Sequence, residues 1–105
     1  MNTNTNTNTA KLALRIYNAA CNAAYDESDK YGRYIAARRA IVRAIRRELG
    51  LPKHGFAPVT VFNAASKYAS VIAAAPFSEE SWYFVDVTIR PKLRRMIRRA
   101  KKGTL

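Results

Sequence analysis

Four prolines set the limits of the regular elements that this chain can form, because proline opens or ends a helix and disrupts its interior. Pro52 follows Gly50, the usual order at a helix C-terminus. Pro58 suits the first turn of a new helix, and Pro76 closes that segment. The 105 residues include only four glycines, so the segments between the breaks favour helices. The pattern predicts an all-α protein with long helices over residues 10–26, 33–49 and 58–75.

The segment after Pro76 is expected to form two helical pieces with a bend between them. Ser78 is a good N-cap, and two glutamates follow it in the first turn, where the helix dipole favours negative charge. The aromatic and β-branched residues that come next would also suit a strand, but the cap favours a helix. Pro91 is expected to break or kink this helix, because it lacks a donor and disfavours α geometry at Arg90. A last helix is predicted over residues 91–102.

The predicted architecture is a three-helix antiparallel bundle with a bent C-terminal helical extension. Residues 1–9 hold an alternating Asn-Thr run that has nothing to bury, so we expect a disordered arm there. Thr9 would then be the N-cap of the first helix. Residues 10–75 are expected to form the three-helix core, and residues 76–105 the basic extension.

The net charge indicates the kind of partner. Nineteen Lys and Arg residues against seven Asp and Glu residues give a charge of +12. A field of this sign attracts RNA, DNA, anionic lipid or an acidic protein without distinguishing among them. No apolar run is long enough to span a bilayer, so the chain is expected to be peripheral to a membrane at most. The single cysteine, Cys21, fits a reducing compartment.

The second helix carries arginines on more than one face. Its apolar stripe is expected to comprise Tyr34, Ile35, Ile41, Val42, Ile45 and Leu49. Arg43 and Arg47 lie opposite this stripe, and Arg39 and Arg46 lie at its edge. Arg38 is predicted to fall in the middle of the stripe, where its charge would be desolvated. Two interpretations stay open: Arg38 extends along its own stem to water, or it receives a carboxylate or phosphate between helices.

The C-terminal segment carries eight cations with no acid among them, at positions 90, 92, 94, 95, 98, 99, 101 and 102. Like charges this close weaken a helix, which favours a bound polyanion or a docking surface over a merely solvated face. The residues that we expect to contact a partner or anion are Tyr17, Arg38, Arg39, Arg43, Arg46, Arg94, Arg95, Arg98 and Arg99.

The sequence contains few residues of the types that bind metals or catalyse reactions. The one histidine, His54, stands in a loop with no other Cys or His at ligand spacing, so a metal site is not expected. The sequence has no Gly-rich phosphate loop, nucleophile elbow or paired carboxylates. We therefore predict that the protein is not an enzyme and has no cofactor of its own.

Three stretches in order, LRIYNAAC, DKYGRYIAARRAIVRAIRREL and APVTVFNAASKYASVIA, resemble the LYR-type proteins of mitochondria. These are small basic three-helix proteins named for a Leu-Tyr-Arg triplet early in helix 1, which reads Ile16-Tyr17-Asn18 here. The resemblance implies a non-catalytic accessory subunit of a mitochondrial respiratory assembly, complex I in particular. Such a subunit would dock acidic partner surfaces, with an acyl carrier protein and its acyl-phosphopantetheine arm as a candidate partner.

The charge supports an alternative function, that of a basic helical nucleic-acid-binding protein of ribosomal or phage type. In that case residues 90–102 and the exposed face of the second helix would neutralise phosphates. The corresponding location would be cytoplasmic or virion-associated.

Overall fold

A computed structural model describes the backbone of residues 3–103 and the side chains of residues 9–103. The helices are α1 (Thr3–Tyr25), α2 (Lys30–Leu49), α3 (Val59–Ala74) and α4 (Glu79–Phe84). A π-helical turn (Val85–Ile89) joins α4 to α5 (Arg90–Lys101). Residues 3–103 contain no strand, so the all-α prediction is confirmed.

Helix α1 begins earlier than its sequence predicts. The expected disordered arm of residues 1–9 is helical from Thr3, and Thr9 lies inside the helix, completely buried, so it is not an N-cap. Residues 1 and 2 of that arm lie outside the described residues. Asn and Thr are modest helix formers, but tertiary packing overrides propensity, and the core reaches at least as far as Thr9.

Helix α2 is defined by a cap at each end. Asp29 accepts a hydrogen bond from the Gly32 N–H, and so the helix starts at Lys30, three residues before the predicted start. At the other end Gly50 adopts a left-handed conformation with φ 69°, and the Leu51 N–H donates to the Arg46 carbonyl at 2.8 Å. This is the glycine C-cap that the sequence predicts.

The core lies around α1, which packs against α2, α3, the π-helical turn and α5. Alanines on α1 and α2 are among its most buried residues and allow the two helices to approach closely: Ala13, Ala20, Ala24 and Ala37 have no exposed surface. Helix α2 also packs on α3, so each of these three helices contacts the other two. The last segment is anchored by Val85, Ile89 and Leu93, which are completely buried.

Pro91 does not break the C-terminal helix. Arg90 keeps α geometry, with φ −54° and ψ −47°, so the break expected there is wrong. The chain instead widens into a π-helical turn just before the proline, and the Arg90 N–H donates to the Val85 carbonyl five residues back. A wider turn relieves the clash between a proline ring and the preceding turn, so helical structure continues through Pro91 without a break.

Candidate functional site

A half-open groove of about 1030 Å³ lies between α2 and the segment 50–62. Six cations line it: Arg38, Arg39, Arg43, Arg46, Arg47 and Lys53. Apolar groups share the wall, namely Val42, Leu51, Phe56, Ala57 and Phe62, together with His54 and two glycines. No Asp or Glu lines this groove, which we call the α2 groove.

Helical spacing explains why so many arginines meet here. Positions 39, 43 and 47 form one row at i, i+4, i+8, and positions 38, 42 and 46 form the neighbouring row. Arg39, Arg43 and Arg47 are exposed on the first row. The ion pairs among the described residues are Arg15–Glu48 at 2.8 Å and Arg90–Asp86 at 2.6 Å, and neither involves this row.

Arg38 lies at the edge of the buried stripe, and its predicted place in the middle is wrong. The buried residues of α2 are Ala37, Ile41, Ala44 and Ile45, because the two small alanines turn this face toward the neighbouring helices. The guanidinium carbon of Arg38 lies 5.3 Å from the ring centre of Tyr34 and 4.8 Å from that of Phe62.

Neither interpretation offered for Arg38 describes it fully. The side chain is partly exposed, so its charge is neither lodged in the core nor extended freely into water. Two aromatic rings, one on α2 and one on α3, hold the guanidinium by cation–π contacts. No acidic side chain of the described residues pairs with it. Arg38 therefore lies in the wall of the α2 groove with no carboxylate of the described residues beside it.

Arg46 shapes the loop that forms the other wall. Its guanidinium donates to the carbonyl of Lys53 at 3.0 Å and to that of Gly55 at 2.7 Å. Gly55 has φ 84°, a conformation that disfavours residues with a side chain. These contacts fix a loop on which Lys53, His54 and Phe56 are all exposed. Arg46 therefore positions the loop.

Tyr17 is a packing residue. It is 7% exposed, and its hydroxyl donates to the Ser78 carbonyl at 3.1 Å and shares a hydrogen bond of 2.9 Å with the Ser81 hydroxyl. Its ring meets that of Trp82 edge-on at 5.2 Å. Burial raises the pKa of Tyr17. Tyr17 therefore ties α1 to α4 and is not brought together with the α2 arginines.

The predicted C-terminal cations form a second surface. Helix α5 buries Leu93, Met96 and Ile97 and packs on α1 and the π-helical turn, whereas α2 packs on α1 and α3. Arg95, Arg98 and Arg99 are exposed and Arg94 is partly exposed.

The field around α5 is strongly positive. Lys67 on α3 comes close enough to Lys92 to lower the pKa of that lysine. The predicted site arginines lie on two different helices. Helix α5 carries Arg94, Arg95, Arg98 and Arg99, and α2 carries Arg38, Arg39, Arg43 and Arg46. The nine predicted site residues therefore divide into two cationic surfaces and one buried tyrosine.

Sequence reasoning missed the aromatic part of the α2 groove. Phe62 belongs to α3 and Phe56 to the loop, and both were treated as helix or loop residues without a role. A signal was present in the loop sequence LPKHGFA, where a phenylalanine stands between a turn-forming glycine and a small alanine.

The described residues offer neither a cluster of metal ligands nor a membrane-spanning helix. Residues 3–103 bring no three His, Cys, Asp or Glu side chains together in a group that would hold a metal ion. None of the helices in that range has both the length and the apolar character needed to cross a membrane.

Comparison with family models, with curated proteins and with solved structures finds no match to this chain.

Proposed function

We propose that this protein is a non-catalytic nucleic-acid-binding protein whose α2 groove receives a phosphate backbone. The observation that carries the proposal is the convergence of six cations on one groove without an acid. Phosphate contacts of this kind release condensed counterions and supply most of the affinity of non-specific binding.

Two other features support this proposal over a purely solvated surface. The loop wall is held in place by Arg46, so the cations and the exposed Phe56 are presented on an ordered scaffold. The α5 surface adds a second set of cations, which strengthens the attraction of a long polyanion. We take α1–α3 to be the predicted antiparallel three-helix bundle and α4–α5 its bent extension, a view that the packing of α2 on both α1 and α3 supports.

Binding of a fluorescent oligonucleotide at several salt concentrations tests this proposal. If six phosphates are contacted, affinity should fall between 50 and 200 mM salt by about three orders of magnitude for a duplex and by about 2.5 for a single strand. Replacing Arg43 with glutamine should lower the slope of log affinity against log salt by about 0.7 for a single strand.

Lys11 provides the matched control. It is exposed on α1 and does not line the α2 groove. Lys11→Gln removes the same charge as Arg43→Gln, so it should leave the slope unchanged. Equal effects of the two substitutions, or no binding at 50 mM salt, would contradict the proposal.

A second candidate is the LYR-like accessory subunit, docked by its cations on an acidic protein of a mitochondrial assembly. The order of α1, α2 and α3 and the arginine rows of α2 favour it. The Tyr17 hydroxyl counts against it, because its hydrogen bonds are made within the chain. Titration with an acylated acyl carrier protein separates the two functions. Binding that persists at 200 mM salt, with no affinity for nucleic acid, would favour the accessory subunit.

A further inference from the structure

A row of aromatic rings follows the seam between α2 and α3. The rings of Tyr31 and Tyr34 lie 6.5 Å apart, Arg38 covers Tyr34 at 5.3 Å, and the same guanidinium covers Phe62 at 4.8 Å. Phe62 and Phe56, the latter on the loop, both line the α2 groove. We call this row, from Tyr31 to Phe56, the aromatic track.

The aromatic track is open to solvent. Tyr31 is 64% exposed, Phe62 is 42% exposed, and Phe56 has no cover from the rest of the chain. A smaller groove of about 520 Å³ lies at the Tyr31 end, lined by Lys30, Tyr31, Tyr34, Ser66 and Ser70 among others. Rings that served only to pack the helices together would not need this exposure.

Charges accompany the rings along the same length. Tyr31 and Arg46 are fifteen residues apart on α2, a distance of about 22 Å along the helix axis. The exposed row of Arg39 and Arg43 runs along this helix, and Lys53 stands on the loop beside Phe56. Exposed rings with cations alongside are the features by which proteins hold unpaired nucleic-acid strands.

We propose that the aromatic track selects single-stranded nucleic acid, with unpaired bases stacked on Phe56 and on the exposed rings at the α2–α3 seam. This inference rests on the proposed function and names its ligand. In a duplex the faces of the bases are stacked on one another, so they are not available to stack on the rings of the aromatic track. A duplex is then held by the cations alone. Every base has a π face, so the selection concerns strandedness and not sequence.

Phe56→Leu is the sharpest test, because it removes the ring but keeps an apolar side chain at a position that packs against nothing. Phe77→Leu is the matched control: Phe77 is also an exposed phenylalanine, but its ring stacks edge-on with Tyr25, away from the aromatic track. Circular dichroism of both variants establishes that the helices are retained.

The probes are a 12-nucleotide single strand, as DNA and as RNA, and the duplex of the same sequence at equal salt. Stacking by one ring is worth about 1–3 kcal/mol per base, so Phe56→Leu should weaken single-strand binding by roughly 5- to 150-fold. Duplex binding should change by less than twofold, and Phe77→Leu should affect neither.

The outcomes separate this inference from the proposed function. Salt-dependent binding that is equal for single strand and duplex, and unchanged by Phe56→Leu, would overturn the aromatic track and leave the proposed function standing. Absence of binding to every oligonucleotide would overturn both. If polyglutamate displaced the single strand at equal charge concentration, the rings would have no part in recognition, and the inference would be wrong.

Discussion

Substituting Tyr17 by phenylalanine tests the contact that joins α4 to the rest of the protein. The change removes one hydroxyl, which makes hydrogen bonds to the Ser78 carbonyl at 3.1 Å and to the Ser81 hydroxyl at 2.9 Å, and leaves the ring against Trp82. The hydroxyl belongs to a buried side chain, so its loss should reduce the free energy of unfolding.

The remaining contacts of its partners determine the size of the effect. Ser81 keeps its hydrogen bonds to the Ser78 carbonyl at 3.0 Å and to the Ser78 hydroxyl at 3.1 Å, and the same carbonyl accepts the Trp82 N–H at 3.1 Å. No partner is left unsatisfied, so the penalty for an orphaned buried group does not apply. We expect Tyr17→Phe to lower stability by about 1 kcal/mol, and the midpoint of thermal unfolding by roughly 4–8 °C.

Tyr68→Phe is the control. Tyr68 is 1% exposed, and its hydroxyl has no hydrogen-bond partner among the described residues. Removing that hydroxyl should leave stability unchanged or raise it, because a buried unpaired hydroxyl is itself unfavourable. Urea unfolding at pH 7, followed by circular dichroism and by the fluorescence of Trp82, measures both variants. A Tyr17→Phe protein as stable as the parent, or a Tyr68→Phe protein less stable than Tyr17→Phe, would refute this account of the contact.

Three further predictions concern pH and the ends of α2. Burial raises the pKa of Tyr68 to about 12 from an ordinary 10.0, so its ionisation leaves stability unaffected below pH 10 and lowers it as the pH rises toward 12, because the unfolded chain loses this proton first. The loss amounts to roughly 2–3 kcal/mol, and Tyr68→Phe should remove that part of the pH dependence of unfolding. Gly50→Ala should cost about 1 kcal/mol because φ is 69° there, and a thermal shift below 1 °C would contradict this. Arg46→Gln should release residues 53–55 and speed proteolytic cleavage in that loop, because it removes the hydrogen bonds to the Lys53 and Gly55 carbonyls. Arg43→Gln should leave the cleavage rate unchanged. Equal cleavage rates in the two variants would show that Arg46 does not hold the loop.

The helices of the core could be predicted because their ends depend on local chemistry. Gly50 and Pro52 end α2, and Ser78 caps α4 by accepting the Ser81 N–H, as the sequence indicates. These signals act over three or four residues, and so they can be read without knowing the fold.

The start of α1 and the path through Pro91 could not be predicted in this way. Thr9 is completely buried, so tertiary packing outweighs its weak local helix propensity. At Pro91 the sequence predicts a clash between the proline ring and the preceding turn. It does not predict that a π-helical turn relieves this clash while Leu93 stays buried in the core.

The candidate site was predicted in part. The sequence placed Arg43 opposite the apolar stripe and Arg39 and Arg46 at its edge, and the structure brings all three into the lining of one groove. The predicted position of Arg38 was wrong because Ala37 and Ala44 were left out of the predicted apolar stripe. These two alanines face the core, which turns Arg38 to the edge of the buried face. Phe62 joins the site from α3 across a long separation in sequence, and no spacing rule reveals such a contact.

The salt dependence of single-stranded oligonucleotide binding by the intact protein is the most direct test of phosphate binding in the α2 groove. We predict that affinity falls by about 2.5 orders of magnitude between 50 and 200 mM salt if six phosphates are contacted, and that Arg43→Gln reduces the slope while Lys11→Gln does not. Affinity that is unchanged across that range, or no binding at 50 mM salt, would contradict it.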